Sequence, residues 1–191
     1  MPLPIQPRRR AALRAASLCA LLTLVACAAV ACGGLTQTVR QLDPDKIKLD
    51  KRARQDVRGT GATLEVPTSF ERAADRVWTL KQHGGLVFLL NVRRTRTPEQ
   101  GAERWFKEKI ALVQRSGQAG ITANEPVELG DLVGHYIEAI DLVGANRQVL
   151  YQVVVEVEDG LYVASLYAPI ALRKSHGEAL AATVKSLRVG R

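Results

Sequence analysis

Residues 151–169 read YQVVVEVEDGLYVASLYAP, and their pattern decides the fold. Counting from Val149, the residues Val149, Tyr151, Val153, Val155 and Val157 fall on one side of an extended chain, because side chains alternate along a strand. Asp159-Gly160 follows, a dipeptide that tolerates positive φ and closes a tight hairpin. Leu161–Tyr167 then returns as the second arm. A chain built from hairpins pairs its strands antiparallel.

Outward from this hairpin, more strands are expected. Gly134–Leu142 follows a tight turn, and Ile121–Leu129 is a looser strand interrupted by Pro126. Leu86–Val92, LVFLLNV, follows the Gly84-Gly85 pair and is apolar on both alternating faces, which predicts a central strand covered on both sides. Thr63–Val66, ended by Pro67, and Val77–Leu80 complete the set. Two helices are expected. The first has Thr97 as cap, Pro98 in the first helical position and Gln100 closing a capping box. Its stripe is Ala102, Trp105, Phe106, Ile110 and Val113, and Gly117 ends it. The second runs from about Leu172 to Leu187, with Ser175 and Glu178 as a second capping box and Leu180, Val184 and Leu187 facing inward. Strands grouped apart from helices predict an α+β domain: an antiparallel sheet of about six strands flanked by helices on both faces, a three-layer α/β/α sandwich.

Three segments, LEVPTSF at the start of the domain, EPVELGDLVGHYIEA in its middle, and YQVVVEVEDGLYVASLYAP leading into a helix that ends VKSLR, carry a resemblance. Together, over about Thr63–Arg188, they resemble the superfamily of the photosystem II extrinsic P subunit, a Ran-binding nuclear-import factor and the bacterial DcrB-like lipoproteins. The resemblance implies an antiparallel sheet with helices on both sides. It implies binding or accessory roles rather than one activity, and it supplies no site residues.

The N-terminus gives an address. Arg8, Arg9, Arg10 and Arg14 precede a run without charge from Ala15 to Gly34. Basic, apolar and small-residue segments in that order form a secretory signal. The run closes on Leu24-Val25-Ala26-Cys27, which resembles the lipobox of bacterial lipoproteins, where the cysteine sulfur is acylated and the chain is cut just before it. Cys32, preceded by Ala29-Val30-Ala31, is the alternative acceptor; an uncleaved anchor helix and an ordinary signal-peptidase cut near Ala26–Ala31 are the other readings. All three cysteines, Cys19, Cys27 and Cys32, lie in this segment, so the exported domain is expected to have no disulfide. Two or more acyl chains hold a protein on a bilayer where one is marginal. Ala28, where a retention aspartate would stand, points to the outer membrane, facing the periplasm. The expected layout is a signal at 1–26, a lipid anchor and charged flexible tether at 27–60 with a frayed helical turn around Lys46–Val57, and one domain at 61–191.

The net charge of +8 does not mark a nucleic-acid binder. Four of the positives are the signal arginines. Residues 28–60 hold seven basic and four acidic residues, which leaves +1 for 61–191. No nucleic-acid partner is expected; the membrane, through the lipid, and an envelope protein are.

No catalytic constellation stands out. His83, His135 and His176 lack zinc-site spacing, so neither metal nor cofactor is expected. Glu156 and Glu158 share a strand face with Gln152 but have no evident chemical partner. Trp105 fits the apolar stripe of the first helix. Trp78 is less constrained and is the candidate ligand-binding aromatic. The sequence therefore predicts a non-enzymatic, lipid-anchored envelope module that binds a protein or supports an assembly. An envelope carrier of a small apolar ligand or lipid is the alternative.

Overall fold

The hairpin expected at 149–167 is the centre of a seven-stranded antiparallel sheet. The computed structural model describes residues 42–82, 85–96, 101–141, 147–158 and 160–190. Its strands are β1 (Arg52–Val57), β2 (Ala62–Pro67), β3 (Glu71–Ala74), β4 (Val77–Gln82), β5 (Gly85–Thr95), β6 (Ala119–Glu128), β7 (Val133–Asp141), β8 (Gln148–Val157), β9 (Gly160–Pro169) and β10 (Arg188–Val189). The helices are α1 (Ala102–Ser116) and α2 (Arg173–Lys185). The large sheet runs β3-β4-β5-β9-β8-β7-β6, and a smaller one runs β1-β2-β10. Every pairing among these strands is antiparallel. His83, the Gly84 turn, the Thr97–Gln100 box, Asp159, Leu24–Ala26, Cys27 and Cys32 lie outside the described residues.

The alternation in β8 does what its period requires. Val149, Tyr151, Val153 and Val155 are buried in one large core cluster. The cluster continues through Tyr162, Ala164, Leu166 and Ala168 of β9 and Phe88, Leu90 and Val92 of β5. Leu180 and Val184 of α2, with Leu187 beyond it, and Leu64 and Val66 of β2 close the same cluster. Each buried Val, Leu or Phe side chain among them contributes about 1.5–3 kcal/mol relative to exposure. The opposite face of the large sheet carries a smaller cluster, in which Phe106 and Ile110 of α1 meet Ile137, Ala139, Val154 and Leu161.

The α+β class and antiparallel pairing hold, with a helix against each face of the large sheet, but the single sheet of about six strands needs correction. There are two sheets, and the smaller one packs with α2 on the same face of the larger. The strands that the sequence did not mark, β1, β3 and β10, are short or polar. Their cohesion comes from backbone ladders and long-range side-chain bonds, which leave little periodic signal.

The tether at 27–60 also needs correction from Leu42 onward. Ile47, Leu49 and Val57 are core residues, and β1 pairs with β2 from Arg52↔Pro67 to Val57↔Ala62. In place of a frayed helix there is a 3-10 turn at Pro44–Lys46 followed by extended chain. The segment reads as solvated because only these few side chains turn inward. Gln82 clamps its entry, accepting from the Asp43 amide at 3.3 Å and donating to the Asp43 carbonyl at 3.2 Å.

Helix ends agree at one position and differ at another. Gly117 caps α1 with φ of 66°, a left-handed conformation that glycine adopts without strain. Ser175 does not start a capping box. A 3-10 turn at Ile170–Leu172 feeds straight into α2, so Ser175 is already inside the helix and its hydroxyl donates back to the Leu172 carbonyl at 3.4 Å.

Candidate functional site: a polar row beside the first helix

Trp78 is fully buried. Its Nε1–H donates to Gln55 Oε1 at 2.7 Å, and the Arg72 guanidinium lies over its ring at 4.7 Å. Arg72 also donates to Gln55 Oε1 at 3.2 Å and to the Asp56 carbonyl at 2.8 Å. Trp78 therefore ties the two sheets together, and both its ring face and its N–H are already engaged. The side chain of Trp105 is outside the description.

The histidines are apart. His135 stacks on Phe106 with ring centroids 4.9 Å apart. His176 lies in the first turn of α2, where its ring nitrogens meet the Ile47 carbonyl at 3.3 Å and Ser175 Oγ at 2.7 Å. Among the described residues, no group of three His, Cys, Asp or Glu could hold a metal ion. Glu156 and Glu158 are exposed at the end of β8.

A dense polar cluster lies at the edge of the α2 face. Glu138 Oε1 accepts from Arg173 at 2.6 Å and from Thr122 at 2.7 Å, and Glu138 Oε2 faces the Tyr136 hydroxyl at 3.4 Å. Directly across the strand pair, the buried Tyr151 hydroxyl has no partner among the described residues and is pushed up to about 12, by burial first and by the Glu138 charge second. The bare Gly177 above it makes room: a Cβ there would stand 3.1 Å from that hydroxyl. The donors of this cluster converge on Glu138, so it is largely self-satisfied.

The sheet face shared with α1 differs. Near β7 and β8 it is apolar and covered by Phe106 and Ile110. Towards β5 it turns polar. The register aligns Asn91 of β5 with Ser165 of β9, and Ser165 with Gln152 of β8, so three polar residues form one row across three strands. Gln152 Nε2 donates to Ser165 Oγ at 2.8 Å. Ser165 is wholly buried, and its own hydroxyl hydrogen remains for another acceptor. Asn91 Oδ1 is buried and accepts nothing from the described residues. An unpaired buried carbonyl costs about 1–3 kcal/mol, so such an atom in the middle of a sheet calls for a reason.

Two further groups flank the row on the same face. Arg93 lies two residues along β5, and its exposed guanidinium has no carboxylate within ion-pair distance among the described residues. Tyr167 lies two residues from Ser165 in the other direction. Burial raises its hydroxyl, and the nearby Arg93 charge offsets part of that rise. The arrangement sets the exposed Arg93 beside a row in which the Ser165 side chain and Asn91 Oδ1 are buried. Sequence reading noticed Gln152 but passed over Asn91 and Ser165. Their signal was present: each is a lone polar residue inside an otherwise apolar strand, LVFLLNV and LYVASLYAP.

No protein-family model matches the chain, and no curated protein matches it significantly. Solved structures do. The cyanobacterial PsbP protein CyanoP of Synechocystis superposes with a TM-score of 0.53 at 14% identity, covering 76% of this chain and 96% of that one. The domain has the PsbP-like fold. A Pseudomonas aeruginosa protein, PA94, described as of unknown function and a putative regulator, gives a TM-score of 0.50 at 10% identity, covering 73% and 97%. LpqN of Mycobacterium tuberculosis, described as involved in cell envelope biogenesis, gives 0.49 at 10% identity, covering 74% and 91%. At these identities the likeness is one of fold, and a PsbP-like fold does not by itself set an activity.

Proposed function

We propose that this protein is a lipid-anchored component of a bacterial cell envelope whose PsbP-like domain is a non-catalytic binding or assembly module. The observation that carries the binding role is the row Asn91–Ser165–Gln152, where hydrogen-bonding groups are left unspent on one sheet face. The anchor is supported by the run without charge that closes on Leu24-Val25-Ala26-Cys27. Cys27 is the favoured acyl acceptor over Cys32, and the outer membrane facing the periplasm is the favoured side. Because the folded domain extends back to Leu42, the chain from Cys27 can hold it no more than about 50 Å from the lipid. The tether is thus shorter than composition suggested.

Two experiments test the two halves of this reading. Labelled palmitate should enter the wild type and be lost in Cys27→Ala; label that persists in both Cys27→Ala and Cys32→Ala rejects the lipoprotein assignment. A photo-crosslinker at Val163, beside the row, should capture a reproducible partner from native membranes, while one at Glu65 on the small sheet should not. Equal or absent capture at both positions rejects the row as the binding face. The carrier of a small apolar ligand ranks second, because the unspent groups on this face are polar.

A further inference from the structure

We infer that the end of the large sheet where the chain from Cys27 joins the domain rests on an anionic bilayer, its lysines and arginine against phospholipid head groups. This rests on the lipid anchor proposed above. Asp43 enters beside Gln82, the last residue of β4, and the exposed Lys81 precedes that clamp. The Ile47 carbonyl meets His176 at 3.3 Å, which sets Lys48 beside the first turn of α2 and Lys174. The Ile170 amide donates to the Arg147 carbonyl at 3.0 Å, where β9 ends and β8 begins. Lys48, Lys81, Arg147 and Lys174 are exposed, and none has a carboxylate within ion-pair distance among the described residues. Lys46 is held by Asp43 at 3.0 Å. Of the other acids at this end, Asp141 already has a partner and Asp45 and Asp50 are exposed, so positive charge is in excess. The half-buried Leu86 and Ile170 and the exposed Ala171 lie among these cations. Basic groups around small apolar side chains suit a bilayer interface, where the cations meet phosphates and the apolar groups reach the acyl boundary. The hairpin turns at the opposite end carry acids as well as bases, among them Glu128, Asp131, Glu156 and Glu158. The tether selects the occupant, because it joins at the basic end and keeps that end within about 50 Å of the bilayer in every orientation.

The competing occupant is an acidic protein. Each lysine or arginine at an anionic surface favours the resting position by about fivefold, so four together favour it by about a hundredfold or more. The acylated protein, purified from membranes, is placed in nanodiscs with acceptor dyes on the lipid head groups. A donor fluorophore is carried at Ala171 or, separately, at Glu158 beside the far hairpin turn. Energy transfer from Ala171 should be about twofold or more stronger with phosphatidylglycerol present than in phosphatidylcholine alone, and should fall back in about 1 M salt, where screening is nearly complete. Transfer from Glu158 should not rise. Lys48→Gln, Lys81→Gln, Arg147→Gln and Lys174→Gln together should remove the phosphatidylglycerol effect. Arg93→Gln with Arg96→Gln, away from this end, should leave it intact. Circular dichroism checks that both variants fold. The inference is overturned if phosphatidylglycerol changes nothing at Ala171, if the quadruple variant behaves like the wild type, or if Glu158 responds as strongly as Ala171. The first of these results leaves the basic end to an acidic protein. Palmitate is measured on the same preparation: label without a phosphatidylglycerol effect defeats only this inference, whereas missing label defeats the anchor on which it rests.

Discussion

Replacing Gln55 by Leu tests whether the chain before residue 61 belongs to the folded domain. Gln55 sits on β1, and its Oε1 accepts from the buried Trp78 Nε1 at 2.7 Å and from Arg72 at 3.2 Å. Leucine keeps much of the volume but accepts nothing. The indole N–H is then a buried donor without a partner, which costs about 1–3 kcal/mol. The loss of the Arg72 contact adds about 0.5–1 kcal/mol, because that side chain is partly solvated. The expected destabilisation is therefore about 1.5–4 kcal/mol, read in urea as a lower midpoint with an unchanged slope. For a domain of this size it corresponds to a fall in Tm of about 5–15 °C. Trp78→Phe in the same chain removes the orphaned donor, so the double variant should lose less than the sum of the two single ones. Arg54→Ala, which breaks the exposed Arg54–Glu65 pair, is the control and should change stability by less than about 1 kcal/mol. If Gln55→Leu shifts stability no more than Arg54→Ala, residues 52–57 are not bonded to the large sheet as described.

Other consequences follow from packing and charge. Leu166→Ala, in the centre of the large cluster, should cost about 2–5 kcal/mol in urea unfolding through the cavity it leaves. Gly134→Ala should destabilise by about 2 kcal/mol or more, since its Cβ would lie 2.6 Å from the Val154 carbonyl oxygen, a backbone atom that cannot move aside cheaply. Tyr151 holds its proton in the fold beyond its unfolded value. Between about pH 10 and 12 the unfolded chain therefore binds fewer protons than the native one, and stability falls as pH rises. That fall should be smaller in Tyr151→Phe, and the late part of the tyrosine absorbance titration near 295 nm, to which the raised Tyr136 and Tyr167 also contribute, should lose amplitude in the variant; equal slopes in both proteins would refute the assignment.

Much of the large sheet was legible in the sequence because its strands are long, apolar and alternating. Val149 to Val157 could face only one way, since sliding the register by one residue would turn the buried side chains of that face into water. LVFLLNV could only be a central strand. The small sheet was hidden for the opposite reason. In RARQDV only Val57 is fully buried, and the strand is held by its ladder to β2 and by Gln55 reaching Trp78 and Arg72, partners distant in the chain. Composition reports solvation and is blind to such bonds. The same limit misjudged Trp78, whose freedom in the sequence vanishes once Gln55 and Arg72 are placed against it.

The candidate site divides in the same way. Period two alone puts Asn91 and Arg93 on one face of their strand, and Gln152 on the face of β8 opposite Val149, Tyr151 and Val153. Only the strand order β5-β9-β8 sets Asn91, Ser165 and Gln152 in line, because that order is chosen by long-range pairing. The antiparallel α+β class was a local property, written in apolar periodicity and turn residues. Which polar groups were left unspent depended on what each one met across the sheet, and that is a property of the assembled fold.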